Sequence, residues 1–504
     1  MNENFFSRII ESASVSGSKI FMVEHAGKTY TYNDLLNITS IFSEHLHNLG
    51  VEPGDRVAAQ INKSPHGFLL YLAVLRVGGI FVPLNTAYTP KEVDYFLCDC
   101  KPAIFFCSAA KAVENKKAID AHVRLGSVIF NDSGECATLL ADVIHEELAP
   151  PVVRDGSDVA IIIYTSGTTG QPKGAMLTHA NLTSNAQALT KAWMFDDSDV
   201  LLHALPIFHA HGLFISTHCV LLSGSKMIFL EKFDTTTVME NIPQSTVMMG
   251  VPTFYTRLLA APGFDKELTR RMRLFISGSA PLLEESSQQF YERTGHVILE
   301  RYGMTESAII TSNPYNLERK IGSVGLPIEG VQVRITAESG DSVAVGDVGS
   351  IEIKGPAVMK GYWNKPEKTA EEFTRDGWFK TGDLGRLDEE GYLYISGRGK
   401  DLVISGGYNV YPKEVELVID AIPEVQESAV IGVPHPDFGE AVVAVVVPGE
   451  KSDTIAENVI AVCKENLAGY KVPKAVKVVA ELPRNAMGKV LKAHLRAEHT
   501  SLFI

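Results

Sequence analysis

Residues 164–174, "YTSGTTGQPKG", follow the apolar run "VAIII" and combine glycines, hydroxyl side chains and Lys173. Glycines let backbone N–H groups approach a ligand closely, and serine and threonine hydroxyls add further donors. Such a loop at the end of a strand predicts a phosphate-binding site, with a flexible surface loop as the alternative. The Walker pattern G-x-x-x-x-G-K-[ST] is absent, because Lys173 lies three residues after Gly170 and is followed by Gly174.

Four further segments carry side chains suited to phosphate, metal or hydroxyl chemistry. They are "RYGMTE" (301–306), "TGD" (381–383), "GRGKDLVISGGYNVYP" (397–412) and "PRNAMGK" (483–489). A single carboxylate such as Glu306 suffices for Mg²⁺, which keeps several water ligands. The carboxylate of Asp383 offers two oxygens to a pair of hydroxyls. Taken singly, Glu306 could cap a helix, Asp383 could form a turn and Lys489 could simply be solvated.

In order and spacing, these five segments resemble the acyl-adenylate-forming (AMP-binding) superfamily, which contains acyl-CoA synthetases, luciferases and nonribosomal peptide adenylation domains. The resemblance covers nearly the whole chain. It implies an ATP-dependent acid–CoA ligase that uses Mg²⁺ and coenzyme A. A carboxylate would attack the α-phosphorus of ATP and release pyrophosphate, and the thiol of CoA would then displace AMP. Because the first step joins two anions, charge neutralisation and alignment should supply most of the acceleration.

The resemblance also implies which residues bind the nucleotide. They are Thr165, Ser166, Gly167, Thr168, Thr169, Gly170, Lys173, Ser279, Ala280, Pro281, Tyr302, Gly303, Asp383 and Arg398. The loop with Lys173 would hold the β- and γ-phosphates, and residues 277–281 would pass close to adenine and the acyl carboxylate. Asp383 and Arg398 would contact the ribose. Tyr302 would lie against adenine, or else be a core tyrosine.

The residues implied in catalysis are Thr305, Glu306, His209 and Lys489. Glu306 would hold Mg²⁺ and Thr305 the α-phosphate. Lys489 would bridge the acyl carboxylate and the α-phosphate during adenylation, but it is not needed for thioester formation. A small C-terminal domain would therefore rotate about a hinge at Lys400, withdrawing Lys489 and bringing the turn that contains Gly407 to the CoA tunnel.

Further segments, "GVPTFYTRLL", "LFISGSAPLL" and "ALPIFHAHGLF", are similar to the malonyl-CoA synthetases within that family. The residues implied at the acid are Arg257, Ser277, Gly278 and His209. Arg257 would grip the distal carboxylate of a dicarboxylic acid, although an arginine at a helix start is otherwise usually a surface or ion-pair residue. His209 would line the same pocket or gate the pantetheine tunnel, whereas His211 would pack structurally.

One segment departs from the malonyl-CoA synthetase pattern. That group carries "MTETNMNTSNPY", whereas this chain reads "MTESAIITSNPY", which makes residues 307–310 less polar. If Ile309 or Ile310 faces the pocket, a methyl-bearing acid such as methylmalonate, or a larger monocarboxylate, is favoured over malonate.

Three alternatives to a malonate or methylmalonate ligase remain open at this point. The first is a medium- or long-chain fatty acid–CoA ligase. The second is an adenylation enzyme that loads a carrier protein, although no Asp of the kind that grips an amino group follows residues 277–281. The third, a nucleotide-binding regulator without catalysis, would lack Lys489 or Glu306, and both are present.

The overall composition narrows the class of protein and of partner. The chain has 504 residues, 45% hydrophobic and 21% charged, with a net charge of -14. This composition is typical of a globular protein of several domains, and the acidic balance argues against nucleic acid or an anionic membrane as partner. Six cysteines without metal spacing favour a reducing compartment. We see no secretory signal and no integral membrane span, so we expect a cytoplasmic protein.

The apolar runs indicate the elements that must position these residues. Runs such as "DRVAAQI", "PAIFFCS", "VAIIIYT" and "MRLFISG" alternate with amphipathic helices up to about residue 310. This alternation predicts an α/β fold with layered, largely parallel sheets. Short strands and glycine turns over 320–398 predict an antiparallel, distorted β-barrel. We therefore predict a large domain over 1–399 and a small mobile α+β domain over 400–504.

Overall fold

The computed structural model describes residues 2–131, 133–140, 148–165, 172–280, 282–405, 408–435, 438–449, 454–467, 469–485 and 488–503. Ser166, Gly167, Thr168, Thr169, Gly170, Pro281 and Gly407, all implied in ligand binding, lie outside these ranges.

The structure is mixed α/β, as predicted. In chain order the strands are β1 Ile20–Glu24, β2 Thr29–Thr31, β3 Arg56–Gln60, β4 Ile80–Pro83, β5 Ile104–Ser108, β6 Ser127–Phe130, β7 Val159–Thr165, β8 Lys173–Thr178, β9 Val200–His203, β10 Lys226–Phe229, β11 Val247–Gly250, β12 Leu274–Ser277, β13 Leu299–Met304, β14 Ala308–Ser312, β15 Leu326–Pro327, β16 Gln332–Thr336, β17 Gly349–Lys354, β18 Gly361–Tyr362, β19 Phe379–Leu387, β20 Leu393–Arg398, β21 Val403–Ser405, β22 Tyr408–Val410, β23 Val425–His435, β24 Gly439–Pro448 and β25 Ala475–Val478.

The α-helices are α1 Phe5–Ser16, α2 Tyr32–Asn48, α3 Pro65–Arg76, α4 Pro90–Cys100, α5 Ala109–Glu114, α6 Lys116–His122, α7 Ala137–Leu140, α8 His179–Ala192, α9 Ser216–Ser223, α10 Thr235–Asn241, α11 Pro252–Ala260, α12 Glu284–Thr294, α13 Pro366–Glu372, α14 Pro412–Asp420, α15 Ile455–Asn466 and α16 Lys492–His499. A π-helical turn covers His211–Ile215, and 3₁₀ turns cover Ile242–Gln244 and Gly399–Asp401.

Two layered sheets form the larger part of the molecule. One has the order β18-β8-β7-β4-β3-β5-β6 and the other β15-β14-β13-β12-β11-β9-β10-β1-β2. Their central pairs, such as β3 with β4 and β11 with β12, are parallel. Parallel strands are buried on both faces and therefore read as continuous apolar runs, which is why the sequence pattern located them correctly.

The remaining strands form two smaller sheets. The order β16-β17-β19-β20 is antiparallel throughout and confirms the antiparallel texture predicted over 320–398. The C-terminal sheet has the order β22-β21-β24-β23, with β25 parallel to β24, and helices α14 and α15 lie in its hydrophobic core.

The apolar run 68–84 forms a buried helix followed by a buried strand. Helix α3 begins after Ser64, whose side chain accepts a hydrogen bond from the Gly67 N–H, and Pro65 occupies the first turn. Both devices favour a helix start. Among the described residues, no helix is long and apolar enough to cross a membrane.

Candidate active site

The hairpin of β7 and β8 presents the predicted phosphate loop. Thr165 at the end of β7 pairs with Lys173 at the start of β8, so residues 166–171 connect the two strands at this point. Tyr164 Oη donates to Asp99 Oδ2 at 2.6 Å, and Tyr95 Oη donates to the Pro172 carbonyl at 2.7 Å. Helix α4 therefore fastens both ends of the loop to the body of the protein.

Glu306 lies beside this hairpin, in the turn between β13 and β14. Its carboxylate accepts a hydrogen bond from Tyr362 Oη at 3.0 Å and lies 3.4 Å from Thr165 Oγ1. Burial raises the pKa of Glu306, and the Tyr362 hydroxyl and the charge of Lys173 partly oppose that rise. Glu306 is 7% exposed, and its carboxylate contacts side chains from two other strands, β7 and β18.

Lys173 faces the same tyrosine. Its Nζ lies 4.4 Å from the ring centroid of Tyr362 and 3.1 Å from Glu372 Oε1. Tyr362 therefore links the ammonium of Lys173 to the carboxylate of Glu306. The structure brings together the two charged residues that the sequence placed at phosphate and Mg²⁺.

Asp383, Arg398 and Tyr302 form a second cluster. Asp383 on β19 pairs with Arg398 on β20, and Arg398 Nε lies 3.2 Å from Asp383 Oδ1. Tyr302 Oη donates to Asp383 Oδ2 at 2.5 Å. Burial and the Asp383 charge raise the pKa of Tyr302 well above its usual value, so this hydroxyl stays protonated and acts as the donor. These three residues lie together, as their implied roles at the nucleoside require.

A third cluster surrounds residues 277–279, which extend from β12. A Cβ on Gly278 would lie 2.5 Å from the Arg301 guanidinium carbon, so any side chain there would displace the guanidinium. Ser279 has a left-handed backbone with φ of 70°, which is costly for serine and is typical of functional sites. Its Oγ lies 3.3 Å from His211 Nδ1.

Several buried polar atoms around this cluster have no hydrogen-bond partner within the described residues. They are Ser277 Oγ, Arg301 Nε, Arg301 Nη2, Ser307 Oγ, His209 Nε2 and His211 Nε2. Leaving a buried donor unpaired costs about 1–3 kcal/mol, and more when it is charged. So many in one place mark this cluster as a candidate site, to be filled by ordered water or by a polar ligand.

The electrostatics of this cluster favour an anion. Burial lowers the pKa of Arg301 to about 10, so its guanidinium is still charged at neutral pH. Burial lowers the pKa of His209 to about 4 and that of His211 well below its usual range, so both imidazoles are neutral. The cluster therefore presents one net positive charge and several neutral donors.

Sequence reasoning missed Arg301 and Ser307 as separate site residues. In the sequence, Arg301 stands out only as part of the motif "RYGMTE". The feature that could have singled it out is a charged residue inside a strand that begins with the buried Leu299. The expectation that His211 packs structurally was incomplete, because His211 belongs to this cluster.

Arg257 is placed differently from Arg301. Helix α11 begins at Pro252, so Arg257 lies in its last turn rather than at the start, and its side chain is exposed. Its role as the selector of a dicarboxylic acid stays a prediction.

Lys489 lies at the end of a tight turn in the C-terminal part. The Asn485 N–H donates to the Lys489 carbonyl and the Lys489 N–H donates to Asn485 Oδ1, both at 2.9 Å. A Cβ on Gly488 would lie 3.4 Å from Thr253 of α11. The turn therefore contacts the larger part of the protein next to the third cluster. Lys400, the predicted hinge, lies in the 3₁₀ turn between β20 and β21.

Glu300, which precedes Arg301, should make the stability pH-dependent. Burial raises its pKa to about 8, against 4.5 for an ordinary glutamate. Between these values the folded protein holds a proton that the unfolded chain releases, so stability falls as pH rises from 4.5 to 8. Glu300→Gln should therefore be more stable than the parent at high pH, by on the order of 2–4 kcal/mol, and similar near the ordinary glutamate pKa. Denaturant unfolding at both pH values tests this, and a gain confined to the lower pH would contradict it.

Comparison with known proteins identifies the family of the chain. A family model described as AMP-binding enzyme matches residues 10–363, and one described as AMP-binding enzyme C-terminal domain matches residues 414–489. A feruloyl-CoA synthase from an Amycolatopsis species is 38% identical over 480 residues, covering 94% of this chain and 95% of that protein. A malonate–CoA ligase from Arabidopsis thaliana is 34% identical over 541 residues, covering 97% and 88%.

Solved structures extend the similarity to the fold. ATP-bound MatB from Rhodopseudomonas palustris is 47% identical, covers 100% of both chains and superposes with a TM-score of 0.96. The apo form of MatB from the same organism is 48% identical with a TM-score of 0.86. With two family models spanning most of the chain and relatives aligned along nearly all of it, the protein belongs to the AMP-binding enzyme family and is an AMP-forming acid–CoA ligase.

Proposed function

We propose that the protein activates a short dicarboxylic acid, malonate or methylmalonate, as its CoA thioester. One observation carries the proposal: the buried guanidinium of Arg301, whose Nε and Nη2 have no partner among the described residues. A carboxylate accepts two parallel N–H bonds from arginine, and such charge-assisted pairs are strong. The distal carboxylate of a dicarboxylic acid would satisfy both donors. A fatty acid chain would leave them buried and unpaired.

The names of the relatives do not choose between these acids by themselves. Alongside the malonate–CoA ligase, a long-chain-fatty-acid–CoA ligase from Bacillus subtilis (strain 168) is 36% identical over 537 residues. The feruloyl-CoA synthase has similar identity. The argument for a dicarboxylic acid therefore rests on the charge of the pocket. Ile309 and Ile310 are both fully buried on β14 and belong to the main hydrophobic core, so the choice between malonate and methylmalonate is left to the assay.

The nucleotide half of the reaction uses the other two clusters. Lys173 and the loop after Thr165 would hold the β- and γ-phosphates, Thr305 the α-phosphate, and Asp383 with Arg398 the ribose. Gly303, Ser279 and Ala280 would lie along adenine and the acyl phosphate. The contact of Tyr302 Oη with Asp383 supports a place for its ring beside the nucleoside.

Glu306 fits the single protein carboxylate that a nucleotide-bound Mg²⁺ needs. Within the described ranges, no three His, Cys, Asp or Glu side chains lie close enough together to hold a metal ion. Mg²⁺ accepts such a sparse site because phosphate oxygens and waters supply its remaining ligands. When bound, the ion would neutralise charge on the phosphates.

The C-terminal part would move between the two half-reactions, as a domain over 400–504 hinged at Lys400. The present structure superposes better on the ATP-bound form of MatB than on the apo form. The contact of the Gly488 turn with α11 also suits the adenylation state, in which Lys489 must reach the acid.

A panel of acids tests the proposal. The purified enzyme would be assayed with ATP, Mg²⁺ and CoA against malonate, methylmalonate, succinate, acetate, octanoate, palmitate and ferulate, with acyl-CoA measured by mass spectrometry and pyrophosphate by coupled release. We expect kcat/KM for malonate or methylmalonate to exceed that for every monocarboxylate by about 100-fold or more. Preference for palmitate or ferulate would contradict the proposal. Pyrophosphate release without acyl-CoA would instead favour loading of a carrier protein.

A further inference from the structure

Lys63 is a half-buried lysine whose presence the reaction does not explain. Its Nζ donates to His203 Nδ1 at 2.7 Å and to the His203 carbonyl at 2.9 Å, and it lies 4.3 Å from the ring centroid of Phe229. Burial lowers the pKa of Lys63 well below its usual value. Among the described residues, no carboxylate lies within 4.0 Å of this ammonium. The charge of Glu231 acts on this ammonium from a greater distance, so the contacts that fix the position of Lys63 are those to His203.

The hydrogen-bond pattern of His203 gives direction to this contact. The His203 ring is buried at the end of β9, and its Nε2 lies 2.8 Å from the Gly212 carbonyl oxygen. A carbonyl only accepts, so Nε2 must carry the hydrogen. Burial and the Lys63 charge lower the pKa of His203 well below its usual value, so the ring is neutral and Nδ1 is the acceptor. Lys63 therefore donates to Nδ1 of His203, and Nε2–H donates to the Gly212 carbonyl.

Gly212 belongs to the π-helical turn His211–Ile215, which leads to the acid site. A Cβ at Gly212 would lie 2.2 Å from the Pro206 carbonyl oxygen, so the turn folds too tightly for any side chain there. π-helical turns are rare and occur frequently at functional sites. The preceding residue, His211, has its Nδ1 3.3 Å from Ser279 Oγ, and the Arg301 charge acts on its imidazole.

We infer that Lys63 and His203 are positioning residues for the acid site. They act through the Gly212 carbonyl to hold the turn that begins at His211, whose imidazole feels the charge of Arg301. Lys63 follows β3 of one sheet and His203 ends β9 of the other, so the pair also joins the two sheets behind the pocket. The inference rests on the proposed function, because it requires the acid to bind at the Arg301 cluster.

Two amide substitutions at one position separate the two contacts of His203. A glutamine amide nitrogen reaches the place of Nε2, so His203→Gln keeps a donor for the Gly212 carbonyl and loses the acceptor for Lys63. An asparagine amide reaches only the place of Nδ1, so His203→Asn keeps that acceptor and loses the bond to Gly212. Both variants remove the same ring from the core, which matches their packing losses.

The readout is KM for the preferred acid against KM for ATP. We expect His203→Asn to raise KM for the acid about tenfold, the equivalent of one hydrogen bond, with KM for ATP unchanged. His203→Gln should stay within about threefold of the parent. Lys63→Met should raise KM for the acid by about threefold, as His203→Gln does, since both variants lose only the contact between Lys63 and His203. Lys116→Met, an exposed lysine that pairs with Asp120, is the matched control and should change neither constant.

Thermal unfolding of each variant separates positioning from general damage. Equal effects of His203→Asn and His203→Gln on the acid KM, or parallel increases in both KM values, would overturn the inference. If His203→Asn fails to fold, Lys63→Met decides, and an unchanged acid KM in that folded variant also overturns it. An Arg301→Met variant assayed alongside distinguishes the two levels: normal use of malonate by that variant would reject the proposed function itself, whereas its loss with no effect at His203 would reject only the positioning role.

Discussion

Replacing Lys489 by alanine is expected to lower the rate of acyl-adenylate formation by about 10²–10³-fold. The rate of thioester formation from a synthetic acyl adenylate should stay near that of the parent. The ammonium would stabilise the negative charge that converges when the carboxylate approaches the α-phosphate, and that charge is absent from the second half-reaction. The measurement is pyrophosphate release with ATP and acid, against acyl-CoA formation from supplied adenylate and CoA.

The position of the Lys489 turn makes this prediction sharp. The turn is closed by Asn485 and contacts α11 through Gly488, so the alanine substitution leaves its backbone contacts in place. Lys464→Ala on the exposed surface of α15 is a matched control and should leave both half-reactions intact. Loss of both halves together in Lys489→Ala would contradict a C-terminal domain that serves the two steps in different positions.

Replacing Arg301 by methionine is expected to lower kcat/KM for malonate or methylmalonate by about 10³-fold. The change should leave the enzyme as stable as the parent or more stable, because it replaces an unpaired buried charge by an apolar chain of similar length. Activity with short monocarboxylates should fall much less. A lower kcat/KM without a loss of stability would show that Arg301 is retained for substrate binding and not for folding.

Arg257→Ala is the informative comparison for Arg301. The family resemblance implies that Arg257 selects the dicarboxylic acid, and its exposed position in the last turn of α11 leaves it within the same helix that the Lys489 turn contacts. If Arg257→Ala alone abolishes malonate use and Arg301→Met does not, the selector is the exposed arginine. Loss in both variants would mean that the carboxylate is held from two sides.

Much of the fold followed from the sequence because parallel strands produce a local pattern. Runs such as 55–61 and 159–165 are largely apolar, and each forms a strand within one residue of its predicted limits. The antiparallel strands within 332–398 and the amphipathic helix α14 were also predicted from the sequence. These features depend on residues that are neighbours in the chain, so composition and period suffice to find them.

The residues predicted at the nucleotide came from a resemblance between motifs, whereas no motif pointed to the arrangement of the acid site. Lys173, Glu306 and Asp383 stand in motifs whose resemblance to the AMP-binding family implies roles at phosphate, Mg²⁺ and ribose, and these roles stay predictions. Nothing local marks Arg301 as an unpaired charge or Lys63 as the anchor of His203, 140 residues away.

Burial and pairing decide those roles, and both arise only when distant strands come together. The sequence by itself determined the family, the layered sheets and the reaction at ATP, because glycine loops, apolar periods and acidic motifs act over a few residues. The tertiary structure alone decided that Gly278 lies against the guanidinium of Arg301 and that Nε and Nη2 of this side chain have no partner among the described residues. The cost of an unpaired charge depends on what surrounds it, and only the folded chain supplies those surroundings.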